Sequence, residues 1–183
     1  MSELWKQRLP MQLTWLRMGL TLPILLAMIP NHLGWNVCAI VIFIVASITD
    51  YYDGYFARKF NAVSNMGKFM DPIADKILVS SILIALLSRG SVDPWMVMIV
   101  IVRDTLIGGI RSVAAADQIV IAAKSAGKWK TALQMGAIPA VILGTGDWLK
   151  IGYAVLWLTV VLSVASGIQY YLVFEHSRRQ PKS

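Results

Sequence analysis

Six apolar runs follow one another along the chain, separated by short polar connections, and each predicts one helix. About 20 predominantly apolar residues are enough to cross a bilayer. The pattern therefore predicts an all-α, polytopic membrane protein with six transmembrane helices and a short N-terminal amphipathic segment. Pro23 is expected to kink the first helix, and the second is expected to continue into the polar stretch that follows it. The predicted spans cover residues 15–29, 36–49, 72–87, 94–116, 130–143 and 149–174.

Composition supports a membrane protein without a separate soluble domain. Of the 183 residues, 57% are hydrophobic and 15% are charged, whereas a soluble domain has roughly half apolar and about a quarter charged residues. The start, MSELWKQRLPMQLTWLR, has neither the short apolar core nor the cleavage site of a signal peptide, so we expect it to be retained. We expect residues 1–183 to form a single membrane domain.

Lysine and arginine are concentrated at both ends of the chain and in the connections near residues 58–68 and 124–130. The intervening connections hold only Arg89 and Lys150. By the positive-inside rule, both termini and the second connection face the cytoplasm from the cell (inner) membrane. The formal net charge of +7 then indicates topology and contact with anionic membrane lipids, not nucleic-acid binding.

Four aspartates stand out in the stretch DYYDGYFARKFNAVSNMGKFMDPIAD. Asp50 and Asp53 are three residues apart and Asp71 and Asp75 four apart, so each pair shares a face if its segment is helical. Two such pairs can close around one or two divalent cations, which prefer oxygen ligands. The alternative is a set of solvated acids at helix ends, with Asp71 capping a helix that begins at Pro72.

The residues between the two pairs suit a phosphate ligand. Gly54 and Gly67 remove side chains where a ligand approaches the backbone, and Ala57 is small as well. Arg58 lies five residues beyond Asp53, and a guanidinium there suits bidentate phosphate contact. The stretch therefore predicts a metal and phosphate site.

The four aspartates, Gly54, Ala57, Arg58 and Gly67 match all eight fixed positions of the signature D-x-x-D-G-x-x-A-R-x8-G-x3-D-x3-D. The sequence therefore resembles the CDP-alcohol phosphotransferase family, to which this signature belongs. Members of that family are integral membrane enzymes with six spans. The resemblance implies a CDP-diacylglycerol-dependent phosphatidyltransferase that works by direct displacement and releases CMP.

The resemblance also implies roles for individual residues. Asp50 and Asp71 would bridge two metal ions, Mg²⁺ or Mn²⁺. Asp53 would bind one of these ions, and Asp75 would bind the other while accepting the proton of the attacking hydroxyl. The residues implied in binding the CDP-lipid are Thr14, Arg17, Gly54, Ala57, Arg58, Ser64 and Gly67.

Two arginines inside the fourth span suggest how the second substrate is bound. Arg103 and Arg111 are eight residues apart, about two helical turns, and ionised residues within a span face a cavity or a partner. Pairing of either arginine with Asp104 or with the aspartate cluster stays open. The lysines of the next connection, among them Lys128, are equally explained as cytoplasmic anchors.

The segment Arg-acid-x6-Arg, followed by GKWKTALQM, resembles the bacterial phosphatidylglycerophosphate synthases. Those enzymes join CDP-diacylglycerol to sn-glycerol 3-phosphate, which implies that Arg103, Arg111 and Lys128 bind the acceptor phosphate, and a homodimer is expected by the same resemblance. The alternatives are a relative that uses inositol phosphate and, more distantly, a membrane prenyltransferase or a divalent-cation transporter.

Overall fold

A computed structural model of the chain describes residues 2–59, 65–116 and 125–179, with side chains described for 15–49, 73–74, 76–114 and 129–178. Every regular element in the described ranges is an α-helix, and there are six, as predicted. The helices are α1 (Ser2–Met28), α2 (Leu33–Lys59), α3 (Asn65–Ser88), α4 (Pro94–Ala116), α5 (Ser125–Leu143) and α6 (Gly146–Arg179).

Most helices run well past the apolar segments from which they were predicted, and they do so at their basic ends. α1 begins at Ser2, so the predicted N-terminal amphipathic segment is the first half of a continuous helix that also runs through Pro23. α2 continues to Lys59 and α3 begins at Asn65. Hydropathy marks only the apolar part of a helix, whereas lysine, arginine, glutamine and methionine are good helix formers in polar surroundings. α4 alone has the predicted boundaries.

Two capping arrangements mark the end of α3 and the start of α4. Gly90 has a φ of 68°, and the amide of Ser91 donates to the carbonyl of Leu86 at 3.0 Å, as in a glycine-terminated helix cap. The carboxylate of Asp93 then accepts a hydrogen bond from the backbone N–H of Trp95 at 2.8 Å. It caps α4 with a proline at the first helical position.

The helices form two compact units, and the single membrane domain over residues 1–183 stays a prediction. The first contains α1, α2 and α3, and the second contains α4, α6 and most of α5. In the first unit α1 packs against both α2 and α3. Its buried side chains include Ile24, Met28, Ala39, Phe43, Ala46, Ala74, Leu78, Ile82, Leu83 and Leu86.

One end of the first unit is closed by a polar contact. The guanidinium of Arg89 donates to the side-chain oxygen of Asn36 at 3.1 Å, and Asn36 is buried. Burial lowers the pKa of Arg89 from its ordinary value, because a desolvated charge is disfavoured. The contact joins the start of α2 to the residue that follows α3.

In the second unit α4 packs against α6, and a glycine lets α5 and α6 approach closely. A Cβ on Gly152 would lie 2.7 Å from Cγ2 of Val141 and 3.0 Å from the backbone nitrogen of the same residue. Real Cβ atoms essentially never show the first distance, so a larger residue at position 152 would force α5 and α6 to shift. The small size of Gly152 is therefore used inside the chain, for helix packing.

Apolar side chains cover much of the described surface. Among the described residues, Gly146–Arg178 is the one helix long and apolar enough to cross a membrane by length and composition, and an 18-residue stretch of it has a mean hydropathy of 2.0. Shorter apolar segments are Trp15–Met28, Leu33–Thr49 and Lys76–Ser88. The number and type of the helices are thus confirmed, and the crossing of a membrane by all six stays a prediction.

Candidate active site

The first pair of aspartates lies on a continuous helix. Asp50 and Asp53 were predicted to share a helix face on that condition. α2 is unbroken from Leu33 to Lys59 and therefore includes Asp50, Asp53, Gly54, Ala57 and Arg58. The buried residues of this helix recur at positions 39, 43 and 46. Positions 50 and 53 continue that series at the spacing of one helix face. The two positions thus extend the stripe by which α2 packs in the first unit.

The second pair lies inside α3, not at its start. α3 begins at Asn65, six residues before Asp71, so the explanation of Asp71 as an N-cap before Pro72 is wrong. Gly67 and Asp75 are in the same helix. The buried positions 74, 78 and 82 define the packed face of α3, and positions 71 and 75 lie on or beside it.

The side chains of the four aspartates are outside the described residues, as are those of Thr14, Arg58 and Lys128, and Ser64 is outside altogether. Within the described side chains, no three of His, Cys, Asp and Glu come together. The donor set nevertheless fits hard divalent cations, because four carboxylates supply only oxygen ligands. The metal site stays a prediction.

Arg17 is buried in the same unit as the aspartates. Its side chain is 1% exposed, and its carbonyl accepts a hydrogen bond from Oγ1 of Thr21 at 3.2 Å. A buried guanidinium is tolerated only with compensating partners, and Arg17 is not without one. Its position on α1, the helix that packs against both α2 and α3, is compatible with the predicted contact to the CDP-lipid.

The residues predicted to bind the acceptor lie in the second unit. Nε of Arg103 donates to the carbonyl of Ser163 at 2.8 Å, Nη2 donates to Oγ of Ser166 at 2.8 Å, and Nη1 contacts Oδ1 of Asp104 at 2.9 Å. Arg103 thus pairs with Asp104, which was one of the two alternatives predicted for an arginine inside this span. These described partners use three of the five N–H donors of a guanidinium, so the group retains capacity for a further acceptor.

Asp104 is shared between two cations. Nζ of Lys130 lies 2.6 Å from Oδ1 and 2.7 Å from Oδ2 of the carboxylate. The side chains are mostly buried, with 7% of Lys130, 18% of Arg103 and 19% of Asp104 exposed. Two cations, Arg103 and Lys130, thus contact one mostly buried carboxylate.

Arg111 lies two turns further along α4 and is exposed. Its guanidinium carbon is 5.4 Å from the centre of the Tyr170 ring, within the range of a cation–π interaction. The structure therefore supports both arginines from α6. Lys128 is in the first turn of α5, two residues before Lys130.

Sequence reasoning assigned no role to several polar residues of this unit. Gln134 is buried one turn beyond Lys130, and its side-chain nitrogen has no hydrogen-bond partner among the described residues. The remaining ones are Ser163, Ser166 and Tyr170. The spacing of Lys130 and Gln134 in GKWKTALQ was visible, but which of them contacts the fourth helix depends on packing.

A family comparison covers both units. The model of the CDP-alcohol phosphatidyltransferase family matches residues 7–165. The chain belongs to this family. Membership confirms the resemblance carried by the aspartate signature and identifies an enzyme of the phosphatidyltransferase kind.

Within this family, the chain is similar to curated proteins that share one name, CDP-diacylglycerol–glycerol-3-phosphate 3-phosphatidyltransferase. The protein of Bacillus subtilis is 42% identical over 135 residues, which are 72% of this chain and 70% of that protein. Those of Rickettsia typhi and Rickettsia bellii are 38% and 34% identical, each over 90% of this chain, and cover 96% and 94% of the relatives.

Proposed function

We propose that this family member transfers a phosphatidyl group from CDP-diacylglycerol to sn-glycerol 3-phosphate, giving phosphatidylglycerophosphate and CMP. The observation that carries the proposal is the similarity to relatives bearing the name of that reaction over nine tenths of the chain. The two arginines of the second unit support it, since Arg103 retains unused N–H donors and Arg111 is exposed.

An acceptor that carries a phosphate suits the two arginines of α4. A phosphate monoester carries a charge between −1.5 and −2 near neutral pH. Arg103 and Lys130 share Asp104, and Arg111 stands two turns away without an acidic partner among the described residues. The phosphate of glycerol 3-phosphate supplies an anionic partner for Arg111 and for the unused N–H donors of Arg103, which a zwitterionic or neutral alcohol lacks.

The chemistry proposed for the aspartates follows from the donor set. Asp50, Asp53, Asp71 and Asp75 would hold two divalent ions, Mg²⁺ or Mn²⁺. When bound, such ions neutralise the diphosphate and stabilise the departing CMP. The acceptor hydroxyl forms a bond to the lipid-bearing phosphorus, the bond from that phosphorus to CMP breaks, and the hydroxyl proton passes to the carboxylate of Asp75. Arg58 and Gly54 would position the nucleotide end of the donor.

We also propose that all six helices cross the inner membrane, with both termini and the aspartates on the cytoplasmic side. Tryptophan is enriched at membrane interfaces, and Trp35, Trp95 and Trp148 are 53%, 65% and 59% exposed in the first turns of α2, α4 and α6. The basic residues cluster at the opposite helix ends. Exposed apolar residues between the ends include Val41, Val45, Ile84, Leu106, Leu158 and Val161.

Cysteine labelling tests this topology in a Cys38→Ser background. In spheroplasts, a membrane-impermeant maleimide is expected to label His32→Cys and Thr145→Cys, which lie between helix pairs. Arg178→Cys, near the end of α6, is expected to be labelled only after permeabilisation. Labelling of His32→Cys and Arg178→Cys from the same side would contradict six crossings.

An acceptor panel tests the reaction. Purified protein in detergent receives CDP-diacylglycerol, Mg²⁺ or Mn²⁺, and either glycerol 3-phosphate, inositol 1-phosphate or serine, while CMP and lipid products are measured. We expect product with glycerol 3-phosphate, none after chelation with EDTA, and recovery when excess metal is returned. Product with inositol phosphate instead would assign the chain to that related reaction, and prenyl diphosphate turnover without CMP would exclude the proposal.

The homodimer also stays a prediction. Glycines on helix faces often mark contacts between membrane helices, but Gly152 and Gly167 lie against residues of the same chain and give no support to a contact between copies. The mass of the detergent-solubilised particle distinguishes one copy from two.

A further inference from the structure

Four residues of α6 stand behind the two arginines of α4. Ser163, Ser166, Gly167 and Tyr170 follow one another at intervals of three, one and three residues, which places them on one helix face. We call them the α6 support stripe. Each contacts an arginine or borders one, and the arginines occupy positions 103 and 111 on one side of α4.

At one end of the stripe, two serines fix the orientation of Arg103. The carbonyl of Ser163 accepts from Nε, and the hydroxyl of Ser166 accepts from Nη2, both at 2.8 Å. That hydroxyl also donates to the carbonyl of Ser163 at 3.0 Å, so its own direction is set. Ser163 and Ser166 are buried. The guanidinium plane therefore has a fixed position against α6.

Gly167 leaves the space that Arg103 occupies. A Cβ at this position would lie 3.2 Å from Nε and 3.4 Å from Cγ of Arg103, and 3.8 Å from Cδ1 of Ile107. The first distance is tighter than ordinary carbon–nitrogen contacts. An alanine at this position therefore displaces the guanidinium by a few tenths of an ångström.

At the other end, Tyr170 stands under Arg111. The ring centre is 5.4 Å from the guanidinium carbon, and Arg111 itself is exposed. An exposed arginine without such a contact samples many rotamers, and ordering it on ligand binding costs free energy. The ring reduces that cost because it holds the guanidinium before the ligand arrives.

We infer that the α6 support stripe consists of positioning residues for the acceptor phosphate, acting through Arg103 and Arg111. The inference rests on the proposed function, in which these two arginines bind the acceptor. Stacked or doubly hydrogen-bonded guanidinium groups retain free N–H edges for phosphate oxygens. Preorganised groups bind without further ordering, so the stripe lowers the Michaelis constant for the acceptor and leaves the binding of the CDP-lipid unchanged.

The test compares Tyr170→Leu with Tyr170→Phe in the full-length protein in detergent. Phenylalanine keeps the aromatic face, while leucine keeps bulk without it. We expect Tyr170→Leu to raise KM for glycerol 3-phosphate about two- to fivefold, the size of a partly exposed cation–π interaction. Tyr170→Phe is expected to keep the wild-type KM for glycerol 3-phosphate. KM for CDP-diacylglycerol should stay at the wild-type value in both variants.

Gly167→Ala tests the other arginine in the same assay. It is expected to raise KM for glycerol 3-phosphate, again without a change for the CDP-lipid. Leu172→Ala serves as the control, since Leu172 is 60% exposed on the same helix and lies outside the stripe. Size-exclusion profiles before the assay identify any variant that fails to fold.

The outcomes separate the inference from the proposed function. Wild-type protein that releases no CMP with glycerol 3-phosphate overturns the proposed function and the inference with it. If the wild-type protein is active and Tyr170→Leu, Tyr170→Phe and Gly167→Ala all keep its KM for glycerol 3-phosphate, the inference alone is overturned. Equal increases in the Michaelis constants for both substrates also overturn the inference, because they would mean that the stripe only supports the fold.

Discussion

The Asp71→Asn variant is expected to lose at least about a thousandfold in CMP release while its six helices stay folded. A metal acting as a Lewis acid contributes several kcal/mol to the transition state, and each 1.4 kcal/mol is about tenfold in rate. Asparagine keeps the size of aspartate but removes its negative charge. Asp71 lies inside α3, so no helix cap is lost, and the two residues have similar helix propensities.

The measurement is CMP release at saturating substrates, with circular dichroism to confirm helix content. Asp50→Asn is expected to give the same result. Asp147→Asn is the matched control, because Asp147 makes only an exposed 3.4 Å contact with Lys150. Turnover of Asp71→Asn at a tenth of the wild-type rate or more would exclude this carboxylate as a bridging metal ligand.

The Arg103→Ala variant is expected to raise KM for glycerol 3-phosphate about tenfold or more, with a much smaller change for CDP-diacylglycerol. Hydrogen bonds to a charged group contribute about 1.5–3 kcal/mol, and about 1.4 kcal/mol is tenfold in binding. The fold is expected to survive, because Asp104 keeps Lys130 as its counter-ion at 2.6 Å. Arg111→Ala should act in the same direction.

Two comparisons make this result specific. Arg103→Lys keeps the charge but not the planar set of donors that reaches Ser163 and Ser166, so it should recover only part of the acceptor affinity. Lys150→Ala removes a cation whose side chain is 82% exposed and should change nothing. Equal increases in both Michaelis constants for Arg103→Ala would mean that this arginine only supports the fold.

Helix number followed from hydropathy, but helix length did not. Apolar runs located all six helices, and the boundaries of α4 were predicted without error. The segment that contains Asp50 and Asp53 is helical, as their spacing on one face requires. The start of α3 was misplaced at Pro72, because proline after aspartate is a common helix start. The helix begins seven residues earlier, at Asn65, and continues through the proline.

The acceptor region shows where sequence reasoning stopped. Arg103 and Arg111 were recognised because charges are rare inside apolar spans. Their partners on α6 lie about 60 residues away in sequence, and single serines or a tyrosine in an apolar helix carry no distinctive pattern. Lys130 was one of several basic residues near the same connection, and only packing against α4 distinguishes it from an anchor.

The sequence alone determined the class of this protein: the alternation of apolar runs produces six helices, and eight residues at fixed spacing place it in its family. Those properties are local, because helix periodicity and motif spacing are read along one chain segment. Tertiary structure alone decided that Asp104 is shared by two cations, that Gly152 and Gly167 serve contacts within the chain, and that α6 holds both arginines. Such contacts depend on the rotation and depth at which helices meet, which no single segment encodes.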